Sequence, residues 1–133
     1  MTGQNLAALV GRVLLVLIFL GSGLDKVMHP DATLAYMNSA HLPAAQLLLW
    51  ASVVVEIGAG LAMALGWKAR WAAALLFLWM IPGTAVVHNP WAGDPSQAQM
   101  QMVHLMKNIS IMGGLLLALA FGPGGWSVDR RKA

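Results

Sequence analysis

The chain has 133 residues, of which 59% are hydrophobic and only 10% charged, which is the composition of a membrane protein no longer than one domain. It has no cysteine, so disulfides, thiolate catalysis, iron–sulfur clusters and cysteine-type zinc sites are excluded. The formal charge of +3 does not point to nucleic acid, because the cations gather at segment ends and in the tail, where membrane topology accounts for them.

Four apolar segments, at about 6–24, 44–66, 71–87 and 103–121, are each long enough, or nearly so, to cross a hydrocarbon layer of roughly 30 Å as a helix. No period-2 alternation suggests strands. The expected fold is all-α, an antiparallel four-transmembrane-helix bundle forming a single domain over 1–133.

Segment 1 lacks a basic leader, and Arg12 interrupts its apolar core, so it reads as a retained helix rather than a signal peptide. At 100° per residue Arg12, Val16, Phe19, Gly23 and Lys26 share a face, which is expected to look into the bundle. The connection 25–43 carries Lys26, His29, Asp31, Tyr36 and His41. Pro30-Asp31 can open a short amphipathic helix there, with Leu34 and Met37 toward the membrane surface, and Pro43 suits the first turn of segment 2.

Segment 2 holds Glu56 near its middle. A charge there costs roughly 3 kcal/mol on insertion scales, so it calls for a partner. Trp67-Lys68-Ala69-Arg70 joins segments 2 and 3 as a tight hairpin with interfacial tryptophans. Pro82-Gly83 predicts a kink or a local loss of helical hydrogen bonds near the end of segment 3. Asp94-Pro95 reads as an N-cap and a first-turn proline, so helix 4 is expected to begin well before its apolar part. His104, Lys107, Asn108, Ile111 and Leu115 share one of its faces, Gly113-Gly114 permits a close helix contact, and Gly122-Pro123-Gly124-Gly125 ends it.

Lys68, Arg70, Arg130, Arg131 and Lys132 fall on one side of a four-span protein, so the positive-inside rule places both termini in the cytoplasm. At ~1.5 Å per residue Arg12 lies roughly 9 Å and Glu56 roughly 15 Å above the cytoplasmic helix ends, which makes Arg12 the preferred partner of Glu56. Lys26 and Lys107 enter from the opposite side. The result is an outer polar pocket floored by Arg12 and Glu56, with Lys26, His88, His104, Lys107 and Asn108 as candidate ligand-binding residues.

Plainer readings stand beside these. Lys26 and Lys107 can snorkel to the interface. His88 and His104 can ligate haem or copper, yet they lack a repeated metal-ligand spacing, so no metal and no intrinsic cofactor is expected. Met100, Met102 and Met106, and the tryptophans Trp50, Trp79 and Trp91, read as packing or belt residues.

Taken together, the pieces resemble the DoxX family of small four-helix membrane proteins over nearly the whole length. They are Gly11-Arg12-Val13-Leu14-Leu15 with Phe19, and Gly23 through Lys26; Glu56-Ile57-Gly58-Ala59-Gly60-Leu61 with Leu65-Gly66; His88 and Trp91; Lys107-Asn108 with Gly113-Gly114-Leu115; and Gly122-Pro123-Gly124 followed by Trp126-Ser127-Val128-Asp129. Asp25 departs from the family, which more often has an uncharged residue before the lysine. The resemblance implies a multi-pass protein of a bacterial-type plasma (inner) membrane. Such families include the small subunit of thiosulfate:quinone oxidoreductase, membrane components of oxidant-defence complexes, and proteins of quinone or catechol detoxification.

The first functional expectation is therefore a quinone-interacting oxidoreductase subunit. In it Glu56 and Arg12 are the candidate catalytic residues, and electrons arrive from a redox partner subunit or a soluble donor. The second is a non-catalytic membrane anchor or assembly factor for a redox complex. A small transporter is a weaker third, since the sequence shows no inverted repeat. Expected partners are membrane lipid, a quinone, a redox subunit or further copies of this chain.

Overall fold

The computed structural model describes residues 2–87, 90–91 and 93–131; His88 and Lys132, among the residues singled out above, lie outside them. The elements in chain order are helices α1 (Thr2–Met28), α2 (Pro30–Ser39), α3 (Ala45–Leu65), α4 (Ala69–Val87), α5 (Ala98–Phe121) and α6 (Val128–Arg131). The described residues contain no strand. Four helices are long and apolar enough to cross a membrane: α1, α3, α4, and α5 with the turn that leads into it. Many of their large apolar side chains, among them Leu14, Leu47, Val54, Leu78 and Leu117, are exposed, as suits surfaces meant for lipid.

The inward stripes follow helical spacing. On α1 the buried residues are Arg12, Val16, Phe19 and Gly23, the face expected from the sequence. On α4 they are Ala69, Ala72, Ala73, Leu76, Met80 and Thr84, mostly small side chains that let neighbouring helices approach. Val16, Phe19, Ala59, Met63, Leu76, Met80 and Leu115 form the common core. Leu115 is the one residue of α5 that is fully buried; this helix packs mainly along α4 and has few contacts with α1.

Several boundaries move. Helix α3 begins at Ala45, because Ala44 adopts a left-handed backbone (φ 49°); Pro43 belongs to the preceding turn and not to the first turn of the helix. Helix α4 runs through Pro82 to Val87, the proline costing one backbone donor inside it. Asp94 behaves as expected. Its side chain accepts from Ser96 N at 2.9 Å and opens the 3₁₀ turn Pro95–Gln97 that leads into α5. That hydrogen bond holds the Asp94 carboxyl below the usual carboxylate range.

The tail does more than set charge. After α5 it folds back as a strap across the helix ends. Arg12 donates to Pro123 O, to Trp126 O (2.8 Å) and to Ala64 O (3.4 Å), and Gly125 N donates to Asn5 Oδ1 (2.9 Å). Asp129 then caps a helix 60 residues earlier in the chain: Oδ1 accepts from Lys68 N (2.7 Å) and Oδ2 from Ala69 N (2.9 Å), satisfying amides that open α4. Asp129 N returns a bond to Gly66 O (2.9 Å). Gly66 has φ +70°, and a Cβ there would lie 2.4 Å from Ser127 Cβ, so both its backbone and its crowding require glycine.

Asp129→Ala is expected to lower stability by about 1–2 kcal/mol through loss of a charged cap. A melting curve of the detergent-solubilised variant that overlays the parent curve would show that the strap contributes nothing.

Candidate functional site

Glu56 owes its setting to an irregularity in its own helix. Residues Val54–Ala59 of α3 form a π-helical segment, a wider turn that is uncommon and tends to occur at functional positions. Glu56 sits on it about halfway along the span. Across from it, α1 approaches closely at Gly23, where a Cβ would stand 2.6 Å from Ile57 Cγ1 and 3.4 Å from Glu56 Cβ. The missing side chain lets Lys26, less than one turn further on, come within reach.

Lys26 Nζ donates to Glu56 Oε1 at 2.6 Å and to Ser22 Oγ at 3.2 Å. The side chains of Lys26 and Glu56 are 17% and 10% exposed, so the charges lie inside the bundle. Glu56 Oε2 is buried without a hydrogen-bond donor. A carboxylate has room for several donors, and this one has half of its oxygens unserved.

The pairing corrects the expectation that Arg12 answers Glu56. The reason is the direction of helical side chains, which lean toward the N-terminus of their own helix. Lys26 therefore leans back into the span toward Glu56, whereas Arg12 leans away from it toward the strap, whose carbonyls accept from its two terminal nitrogens while its Nε is buried without a partner. The two cations share a face of α1 and serve opposite ends of it.

Glu56 and Lys26 line a cavity of about 550 Å³. Its walls are largely apolar: Ile18 and Phe19 from α1, Leu48 from α3, Trp79, Met80 and Pro82 from α4, and Ile111 from α5. Thr33, Tyr36 and Met37 of α2 lie over it, so this helix covers the cavity, and Met37, which the sequence alone assigned to the membrane surface, faces it instead. Polar groups are few. Besides the ion pair there are Ser22, Ser52, whose hydroxyl donates to Leu49 O at 2.6 Å, and the Thr84–Asn108 pair, in which Asn108 Nδ2 donates to Thr84 Oγ1 at 3.1 Å. Lys107 stands at the rim with Nζ 3.4 Å from His104 Nδ1.

Of the residues chosen from the sequence, the structure thus brings together Glu56, Lys26, Lys107 and Asn108. Arg12 stands apart, His104 is not part of the cavity wall but meets Lys107 at its rim, and His88 lies outside the described residues. Ser22, Ser52, Thr84, Tyr36 and Trp79 were missed. Ser22 was readable, four residues before Lys26 on the same face, and Thr84 continues the Leu76–Met80 stripe.

The DoxX family model matches residues 7–89, the stretch that carries both members of the ion pair and α2 above them. The chain belongs to the DoxX family. It is 38% identical to inner membrane protein YphA of Escherichia coli (strain K12) over 124 residues, covering 92% of this chain and 88% of that protein. It is 29% identical to inner membrane protein YqjF of the same organism over 127 residues, covering 96% and 92%. Uncharacterized membrane protein Rv3486 of Mycobacterium tuberculosis (strain ATCC 25618 / H37Rv) is 34% identical over 127 residues, covering 90% and 77%. No solved structure matches the chain. With its four apolar helices, this DoxX protein is a multi-pass membrane protein. The DoxX match ends before α5, so Lys107 and Asn108 complete the cavity from outside it.

Removing one partner of the buried pair strands the other charge. Lys26→Met or Glu56→Leu alone is expected to cost roughly 3 kcal/mol, and the double variant Lys26→Met/Glu56→Leu to recover most of that loss. Denaturation in detergent micelles reads all four proteins; additive costs would show that the two residues are not coupled.

Proposed function

We propose that this chain is a quinone-binding membrane subunit of an oxidoreductase or oxidant-defence system, with the cavity beneath α2 as its head-group site. One observation carries the reading: a buried ion pair whose carboxylate keeps an unserved oxygen, on the wall of a largely apolar cavity. Ligand sites of this size, mostly apolar with a few placed polar groups, suit small lipophilic molecules with hydrogen-bonding ends. A quinone fits that description, and it supplies an acceptor of two electrons and two protons. The electrons come from a partner subunit or a soluble donor.

The residues have separable tasks. Lys26 and Asn108 hold carbonyl oxygens by hydrogen bonds, and the Lys26 ammonium favours the negative charge that reduction brings. Glu56 accepts and passes on a proton at Oε2. The apolar walls and α2 keep water from the site, which strengthens each of these interactions. Arg12 takes no part in this chemistry; it positions the strap.

The inner membrane is the proposed location, following the printed names of two relatives. Lys68, Arg70 and Arg130 cluster at the strapped end, so we place that end, with both termini, in the cytoplasm.

Trp79 in the cavity wall gives a direct readout. Titration of the protein in nanodiscs with a benzoquinone analogue is expected to quench a saturable fraction of the tryptophan emission. Trp79→Phe removes that fraction, and Lys26→Met/Glu56→Leu weakens the apparent affinity about tenfold or more. Quenching that never saturates and is identical in all three proteins would defeat the reading; recovery only within a stoichiometric complex would then favour the anchor. Because the chain has no cysteine, a single Lys68→Cys variant tests orientation: an impermeant maleimide should label it in inverted vesicles and not in intact cells.

A further inference from the structure

The cavity is not closed toward lipid. A second, shallow groove runs between α1 and α5, lined by Gly11, Leu14, Leu15, Ile18, Ser110 and Ile111 together with Lys107. Ile18, Lys107 and Ile111 belong to both spaces, so the groove continues the cavity. It lies between α1 and α5, which touch far less than α1 does with α3 or α5 with α4. From Ile18 to Gly11 it extends roughly 10 Å along α1. At its edge α5 touches α1 through Gly114, where a Cβ would lie 3.1 Å from Leu15 Cδ1.

Lys107 does not block the junction with its charge. Its side chain leans toward the N-terminus of α5, and its ammonium meets His104, one turn earlier.

We infer that the molecule bound by this chain is a tailed amphiphile, with its polar head at the Lys26–Glu56 pair and its hydrocarbon tail leaving along the α1–α5 groove into the bilayer. The inference rests on the head-group reading of the cavity and adds the class of ligand: a quinone with an isoprenoid or alkyl chain, not a free ring. The groove commits to that tail because the space it shares with the cavity is apolar on both sides of the junction, and because the groove lies on the lipid-facing surface. A head seated at Glu56 thus has an apolar way out through the bundle wall.

Gly11 gives a clean test. A Cβ there would meet nothing within 4 Å, so a larger side chain is tolerated by the fold yet fills the groove. Ser110→Leu fills it from the other helix. Quenching of Trp79 in nanodiscs is compared for a long-tailed benzoquinone, dosed per lipid, and for the same ring without a tail. Gly11→Leu and Ser110→Leu are each expected to weaken the tailed ligand about tenfold relative to the parent protein and to change binding of the bare ring less than about twofold. If both variants bind the tailed quinone as the parent does, the groove holds ordinary lipid and the inference fails while the head-group site stands. An equal loss for ring and tailed quinone would overturn it as well, since the substitutions would then act on the cavity. If the parent protein binds neither, the head-group reading falls and takes the inference with it.

Discussion

Two opposite charges held inside a bundle of apolar helices are the constraint from which the rest of this fold follows. An isolated Lys26 or Glu56 at that depth would be expensive, and the 2.6 Å contact relieves both. The contact demands particular neighbours. Helix α1 must come close to α3, which requires that residue 23 have no side chain. The backbone that carries Glu56 adopts a π-helical turn, and α2 covers the space that remains.

The same helix face manages a second charge by an opposite device. Arg12 is as buried as Glu56, yet among the described residues no carboxylate is in ion-pair contact with it; backbone carbonyls, two of them from the strap, accept from its terminal nitrogens instead. Asp129, in the same strap, spends its two oxygens on the amides that open α4. The protein therefore separates its duties by height: the strapped end is closed by hydrogen bonds from α1 to the tail, and the unfilled carboxylate oxygen of Glu56 stands about halfway along the span.

Much of this was readable from residue spacing. The periods of α1 and α5 identified the inward faces, Glu56 announced itself as a charge amid apolar residues, and Asp94-Pro95 marked the turn that leads into α5. Spacing did not reveal which way along the axis a side chain leans, and depth counted from the backbone alone assigned Glu56 to Arg12. Adding the lean of helical side chains reverses that choice, since Arg12 and Lys26 straddle Glu56 in height and only Lys26 leans toward it. The π-helical turn and the reach of Asp129 to α4 had no local signal. The first depends on how α3 meets α1, and the second joins residues 60 positions apart.

Buried ion pairs are poor sources of stability, and replacing one by apolar side chains of similar volume is often neutral or favourable. A bundle that needed only to hold together would do as well with leucine and methionine at these positions. The pair also stands on the wall of a cavity, which forgoes packing that the same bundle could have had. Both features run against stability and both are in one place, together with a carboxylate oxygen that has no donor. Stability does not account for that combination; a ligand that brings its own hydrogen-bonding group to Glu56, and its own apolar surface to the surrounding walls, accounts for all three.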